Sequence, residues 1–186
     1  MELLKEIKDK ESPQDESLLE IREAARAVLF DEDGLVPLLF VAKYNYYKIP
    51  GGGIDKGEDK LQALAREVLE EAGSEIKVTG EVGKIIEFRS KWNFKQVSYC
   101  YLGQVISKGK PNFTGKELSQ GFKLVWMFLG DCRQMSSRVI LSDGGAKNHE
   151  FFGLNTGIPF GYAQGRLFTR LGSFRMTLWG VRRQSH

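Results

Sequence analysis

At 186 residues, 41% hydrophobic and 27% charged, the chain has the length for one domain with an appendage and the balance of a globular protein. Its apolar runs are far shorter than a helical bilayer span and its start is charged rather than leader-like, so no spanning helix is expected and the cytoplasm is the expected location. Two cysteines, Cys100 and Cys132, make no disulfide framework or metal knuckle, and two histidines leave any chemistry to carboxylates, backbone amides and a hard cation.

Residues 1–19 read as a helical or frayed leader, since "ELLKEIKDK" has helical spacing and Pro13 breaks it. "AARAVLFDEDGLVPLLFVAKY" reads as two strands around a "DEDG" turn, with Pro37 delaying the second strand. Tyr44 to Gly53 reads as loop and Asp59 to Ala72 as helix. "KVTGEVGKIIEFRS" and "KQVSYCYLGQVIS" alternate as strands around a "KWNF" turn, with Cys100 a small core residue. "KGKPNFTGKELSQG" is a polar loop, and "FKLVWMFL" closes the series as a strand. Strands, one strongly marked helix and more strands predict a mixed α/β or α+β sheet rather than regular βαβ repetition.

The charge divides unevenly. Residues 1–130 carry 19 Lys and Arg against 21 Asp and Glu, a net of −2, whereas residues 131–186 carry 8 against 3, a net of +5. The second segment also exchanges lysine for arginine and shows no sustained helical period. It reads as a β-rich extension or a basic arm for nucleic acid, or, as the preferred expectation, as a segment that is poorly ordered or not native to the preceding domain, from a shifted frame or a fused element.

The marked helix carries the chemistry. Asp59 and Gln62 fit a capping box, and Gly73 fits a left-handed C-cap. Leu61, Leu64, Ala65, Val68 and Ala72 fall on one stripe and are expected to face the sheet. Glu67, Glu70 and Glu71 cluster on roughly the other side. Like charges at these spacings cost only about 0.2–0.5 kcal/mol per pair, so a solvated face alone could carry them. However, no lysine follows four residues later, and the loop "GGGIDKGE" permits close backbone approach. Oxygen-only carboxylate clusters suit Mg²⁺ or Mn²⁺, which keep several waters and bridge to phosphate.

The stretch resembles the Nudix signature G-x5-E-x7-R-E-U-x-E-E-x-G-U, with U a bulky aliphatic residue. Here it reads Gly52, five residues, Glu58, seven residues, then Arg66-Glu67-Val68-Leu69-Glu70-Glu71-Ala72-Gly73. Only Ser74, at the final U, departs, which bears on packing after the helix. Residues 20–130 fit the resemblance, which implies an α/β/α sandwich with a mixed sheet. It also implies Mg²⁺-dependent hydrolysis of a nucleoside diphosphate linked to another moiety, by water attack on phosphorus. On this resemblance Glu67, Glu70 and Glu71 would ligate the metal, and Glu67 would also orient or deprotonate the water. Glu58 and Arg66 would pair to hold the loop, with a phosphate contact as a competing role for Arg66. Gly51 or Gly52 would offer a carbonyl to the metal, and Glu117 would be a further ligand, against its reading as a solvated loop glutamate.

For substrate, Tyr46 and Tyr47 are the best candidates to line the site, with Lys48 near phosphate and Gly52 and Gly53 in close approach. The segment "FRSKW" carries neither the proline of ADP-ribose hydrolases nor the tyrosine of dinucleoside polyphosphate hydrolases. A (deoxy)nucleoside triphosphate or oxidised nucleotide is therefore expected, with ADP-ribose or a nucleotide sugar as the alternative. A non-catalytic sensing module on the same fold would have lost box carboxylates, and here all remain. An RNA 5′-end pyrophosphohydrolase would want a basic groove, which the acidic 1–130 segment argues against. The resemblance leaves room for a homodimer.

Overall fold

A strand covered on both faces reads as an unbroken apolar run, and "AARAVLF" has that character. The computed structural model describes residues 1–8, 16–89, 92–134, 139–140, 152–156 and 176–180. In chain order it contains β1 (Leu3–Ile7), β2 (Glu20–Phe30), β3 (Leu35–Val41), β4 (Tyr46–Lys48), β5 (Gly51–Gly53), α1 (Lys60–Ala72), β6 (Ser74–Arg89), β7 (Phe94–Lys108), α2 (Gly115–Ser119), β8 (Phe122–Phe128) and α3 (Leu129–Gln134). The short strands β9 (Val139–Ile140), β10 (Phe152–Thr156) and β11 (Met176–Gly180) follow.

The fold is mixed α+β. One sheet has the order β1-β6-β7-β2-β5, and a second has β8-β3-β4-β9. Parallel pairs β1/β6 and β2/β7 alternate with antiparallel β6/β7 and β2/β5, so the first sheet is mixed. Ala25, Ala27 and Leu29 of β2 pack against Leu64, Val68 and Ala72 of α1. Val28, on the other face, joins Val36, Leu38, Ile49, Ile85 and Leu129. Thus α1 covers one face of β2, and Leu129, at the start of α3, lies on the other. Each fully buried aliphatic side chain in these clusters contributes roughly 1.5–3 kcal/mol. No helix among the described residues is long and apolar enough to cross a membrane.

Several expectations change. Residues 3–7 form a strand where helical spacing predicts a helix. Five residues are too few for a stable isolated helix. Parallel pairing with β6 instead satisfies their backbone, while Leu4 and Ile7 reach the core. β3 starts at Leu35 rather than after Pro37. Pro37 lies where β3 pairs with β8 and beyond the reach of β4, an edge-like position that tolerates a missing N–H. The expected loop from Tyr44 to Gly53 contains β4 and β5, and the polar loop after β7 contains α2. Most of the 131–186 extension lies outside the described residues. Its described parts are α3 and the strands β9, β10 and β11, the last two paired antiparallel.

Helix α1 starts and stops as its caps dictate. The Asp59 carboxylate accepts from the N–H of Leu61 and Gln62, and Gln62 answers to the Asp59 N–H. Gly73 closes the helix at φ 62° and ψ 23°. Ser74, where an aliphatic residue is usual, is fully buried and its hydroxyl donates to the Ala72 carbonyl. Its polarity is therefore satisfied within the helix end. Asp59→Ala removes both cap bonds and should lower stability by about 1 kcal/mol, a Tm drop of roughly 2–4 °C by calorimetry.

Candidate functional site

The face of α1 follows from angles of about 100° per residue. The buried positions are Ala63, Leu64, Val68, Glu71 and Ala72. Setting Ala63 at zero places Leu64 at about 100°, Val68 at about 140° and Ala72 at about 180°, with Glu71 near 80° inside that arc. Leu61 and Ala65, expected to face the sheet, are exposed, and Glu71, expected on the other side, is buried. A charged residue inside an apolar arc requires internal partners, and these come from β4 and β5.

Glu71 is 1% exposed. One of its carboxylate oxygens lies 2.8 Å from the Lys48 ammonium, and the other accepts from the Gly51 N–H at 2.9 Å. Lys48 is itself 4% exposed, with its ammonium 5.2 Å from the centre of the Phe122 ring. Lys48, expected near substrate phosphate, is thus an internal counter-ion. Tyr46 is also buried, packed with Val41 and Phe122, and Tyr47 lies against Phe40 and the core. Tyr46 is thus buried in a strand rather than set on an open loop, and Tyr47 is half-buried.

Glu67 sits beside this pair. A Cβ built on Gly52 would lie 2.3–2.6 Å from the Glu67 carboxylate, so a side chain there would push the carboxylate out of its present seat. Burial pushes the Glu67 carboxyl above the usual carboxylate range, against the pull of the Arg66 guanidinium. Arg66 binds Glu67 at 2.9 Å through the same Nη1 that lies 3.6 Å from Glu70. Two carboxylates therefore reach one cationic nitrogen.

The rest of Arg66 holds the loop. Its Nε and Nη2 donate to Glu58 at 2.7 and 3.0 Å, and Nη2 donates to the Gly53 carbonyl at 3.1 Å. Glu58 also accepts from the Asp55 N–H. The Arg66 hydrogen bonds hold the Glu58 carboxyl down at about 2, and those same bonds raise Arg66 further above its ordinary range. A depressed carboxylate stabilises the fold fully above its ordinary pKa of 4.5, and this is lost as pH falls through about 2. Glu58→Gln should therefore be less stable than the parent above about pH 4.5, with the difference closing between there and about pH 2. Urea unfolding at several pH values checks this.

Two expected donors point elsewhere. The Gly51 carbonyl accepts from the buried Arg26 guanidinium at 2.8 Å rather than facing the carboxylates. The Glu117 carboxylate accepts from the Thr114 N–H and hydroxyl in a capping box that closes α2 onto itself. Arg26 was not singled out by sequence, because an arginine in an apolar strand carries no spacing signal.

Among the described residues, no three acidic, His or Cys side chains are gathered on one point as a ready metal centre. Yet the donor chemistry of Glu67 and Glu70 fits a hard cation. Both are oxygen donors, they share a cationic nitrogen, and Glu67 fills a cradle that a Cβ on Gly52 would occlude. Glu71, by contrast, is engaged by Lys48 and the Gly51 N–H.

The chain belongs to the Nudix family: the family model for the NUDIX domain matches residues 20–136, more than half of the chain. It is similar to the RNA pyrophosphohydrolase of Helicobacter pylori (strain G27), 39% identical over 59 residues, covering 31% of this chain and 38% of that protein. It is equally similar to the RNA pyrophosphohydrolase of Campylobacter jejuni subsp. doylei, 39% identical over 77 residues, covering 39% of this chain and 43% of that protein. The chain thus matches about two fifths of the length of these curated relatives. Among solved structures, a NUDIX hydrolase from Nitrosomonas europaea aligns with TM-score 0.54 and 21% identity, covering 64% of this chain and 80% of that one. The MutT protein from Methanosarcina mazei Go1 aligns with TM-score 0.50 and 19% identity, covering 63% and 83%. At such identities the likeness shows the shared fold.

Proposed function

We propose that the chain is a divalent-cation-dependent hydrolase of the pyrophosphate bond in a nucleoside diphosphate linked to another moiety. The preferred substrate is a nucleoside triphosphate or an oxidised nucleotide, cleaved to the monophosphate and pyrophosphate. The observation that carries this reading is the Glu67 carboxylate, raised by burial and seated on Gly52 beside Glu70. Glu67 and Glu70 would hold Mg²⁺ or Mn²⁺, with Glu71 as a third ligand once released from Lys48. When bound, the ion neutralises charge on phosphoryl oxygens and lowers the pKa of a coordinated water. Glu67, beside Glu70 at the proposed cation position, would also orient the attacking water or take its proton. Arg66, fixed by Glu58, keeps the glycine loop against the helix while the carboxylates exchange partners. A cytoplasmic setting, rich in nucleotides and Mg²⁺, suits this activity.

The names of the two bacterial relatives favour a second reading, in which the leaving pyrophosphate comes from a 5′-triphosphorylated RNA end. The net charge of −2 over residues 1–130 weighs against that polyanion. The full-length protein with Mg²⁺ should be assayed, by chromatography of products, against nucleoside triphosphates, 8-oxo nucleotides, ADP-ribose, nucleotide sugars and triphosphorylated RNA. Release of pyrophosphate from a small nucleotide supports the first reading, and cleavage confined to RNA selects the second. Binding without cleavage of any substrate replaces both with a sensing module.

A further inference from the structure

Arg26 is fully buried in β2, on the face that also carries Val28. Burying a guanidinium is costly unless its donors are satisfied, and an apolar residue of similar volume would serve the core as well. Its position is informative. Register places it opposite Gly51 of β5, and its Nη1 donates to the Gly51 carbonyl at 2.8 Å.

Gly51 cannot be replaced by a residue with a side chain. Its φ is 125°, and a Cβ there would lie 2.2 Å from the Ala25 carbonyl oxygen. Such a residue has no side-chain barrier to fix its peptide planes, so they must be held by hydrogen bonds. The β2 backbone holds them in part, through its pairing with β5 and the Ala27 N–H that donates to the Pro50 carbonyl at 3.2 Å, and two side chains add to this from opposite ends. Glu71 holds the Pro50–Gly51 peptide by its N–H, and Arg26 holds the Gly51–Gly52 peptide by its carbonyl. The second plane carries the Gly52 N–H and leads into the Cα on which the Glu67 carboxylate rests.

We infer that Arg26 is a positioning residue for the carboxylate site, locking the Gly51–Gly52 peptide in the orientation that seats Glu67. Its role runs through the Gly51 carbonyl and the glycine loop. The consequence for cation affinity rests on the reading that Glu67 and Glu70 bind a divalent ion, whereas the consequence for the loop does not.

The test compares Arg26→Met and Arg26→Lys in the full-length protein, with Mn²⁺ titration followed by electron paramagnetic resonance and amide exchange at Gly51 and Gly52 followed by NMR. Arg26→Met should weaken Mn²⁺ binding roughly 10–100-fold and speed Gly52 amide exchange by about tenfold or more. Arg26→Lys, which keeps a long cationic donor, should recover part of both. If Arg26→Met does not fold, Arg26→Gln replaces it, being polar but too short to reach the Gly51 carbonyl, with the same result expected. A folded Arg26→Met or Arg26→Gln with parental Mn²⁺ affinity and parental Gly52 exchange overturns the inference and leaves the hydrolase reading intact. If the parent protein binds no Mn²⁺, the cation reading fails on its own, and Gly52 exchange alone then supports or overturns the role of Arg26.

Discussion

Lys48→Met should lower the unfolding free energy by about 3–5 kcal/mol, a Tm drop of roughly 6–20 °C. Lys48 and Glu71 face each other at 2.8 Å with side chains 5% and 2% exposed. The methionine fills the space of the lysine stem but removes the ammonium that neutralises a carboxylate inside the apolar arc of α1. Removing one member of a buried pair costs far more than removing both. The double variant Lys48→Met/Glu71→Gln should therefore recover much of the loss, giving a strong non-additive coupling. Mg²⁺ should also stabilise Lys48→Met more than the parent, since the freed Glu71 needs a cation. Urea unfolding of the parent, of Lys48→Met, of Glu71→Gln and of the double variant, with and without Mg²⁺, measures all of this. A loss below about 1 kcal/mol for Lys48→Met would show that the pair is not the internal ion pair described here.

Glu67→Gln should reduce kcat by about 10²–10⁴ while leaving the protein as stable as the parent or slightly more so. The two effects have opposite signs for one physical reason. Burial disfavours the charged form of Glu67, and a neutral amide of the same shape relieves that strain and still accepts from Arg66. The same neutrality removes the base and a donor to the cation. Steady-state kinetics on the best substrate together with a thermal melt separate lost chemistry from lost fold. Parental turnover in Glu67→Gln would remove it from the proposed mechanism.

The features that could be read from sequence are those decided locally. The capping box at Asp59, the left-handed Gly73 and the Glu58–Arg66 pair depend on spacing along a few turns of chain, and each is formed. The central strands followed from continuous apolar runs. The features that could not be read depend on partners far along the chain. An amphipathic projection assigned Glu71 to the outer side of α1 because glutamate is polar. Lys48 and the Gly51 N–H, more than 20 positions upstream or close to it, make the inner side habitable. The same pair buries Lys48 and turns the expected substrate contact into a counter-ion. Gly51–Gly53 read as loop because glycine has low strand propensity, yet β2 offers a partner edge that a triplet without side chains can approach closely. Leu3–Ile7 became a strand for a similar reason, since the edge of β6 was open to it.

The most direct measurement is a Mn²⁺ titration of the full-length parent and of Glu67→Gln/Glu70→Gln, followed by electron paramagnetic resonance at neutral pH. The parent should bind Mn²⁺ saturably, the double variant should lose that site, and Mg²⁺ should displace the ion from the parent by competition. Equal Mn²⁺ binding by the two proteins, or none by either, would contradict a divalent-cation site built on these carboxylates.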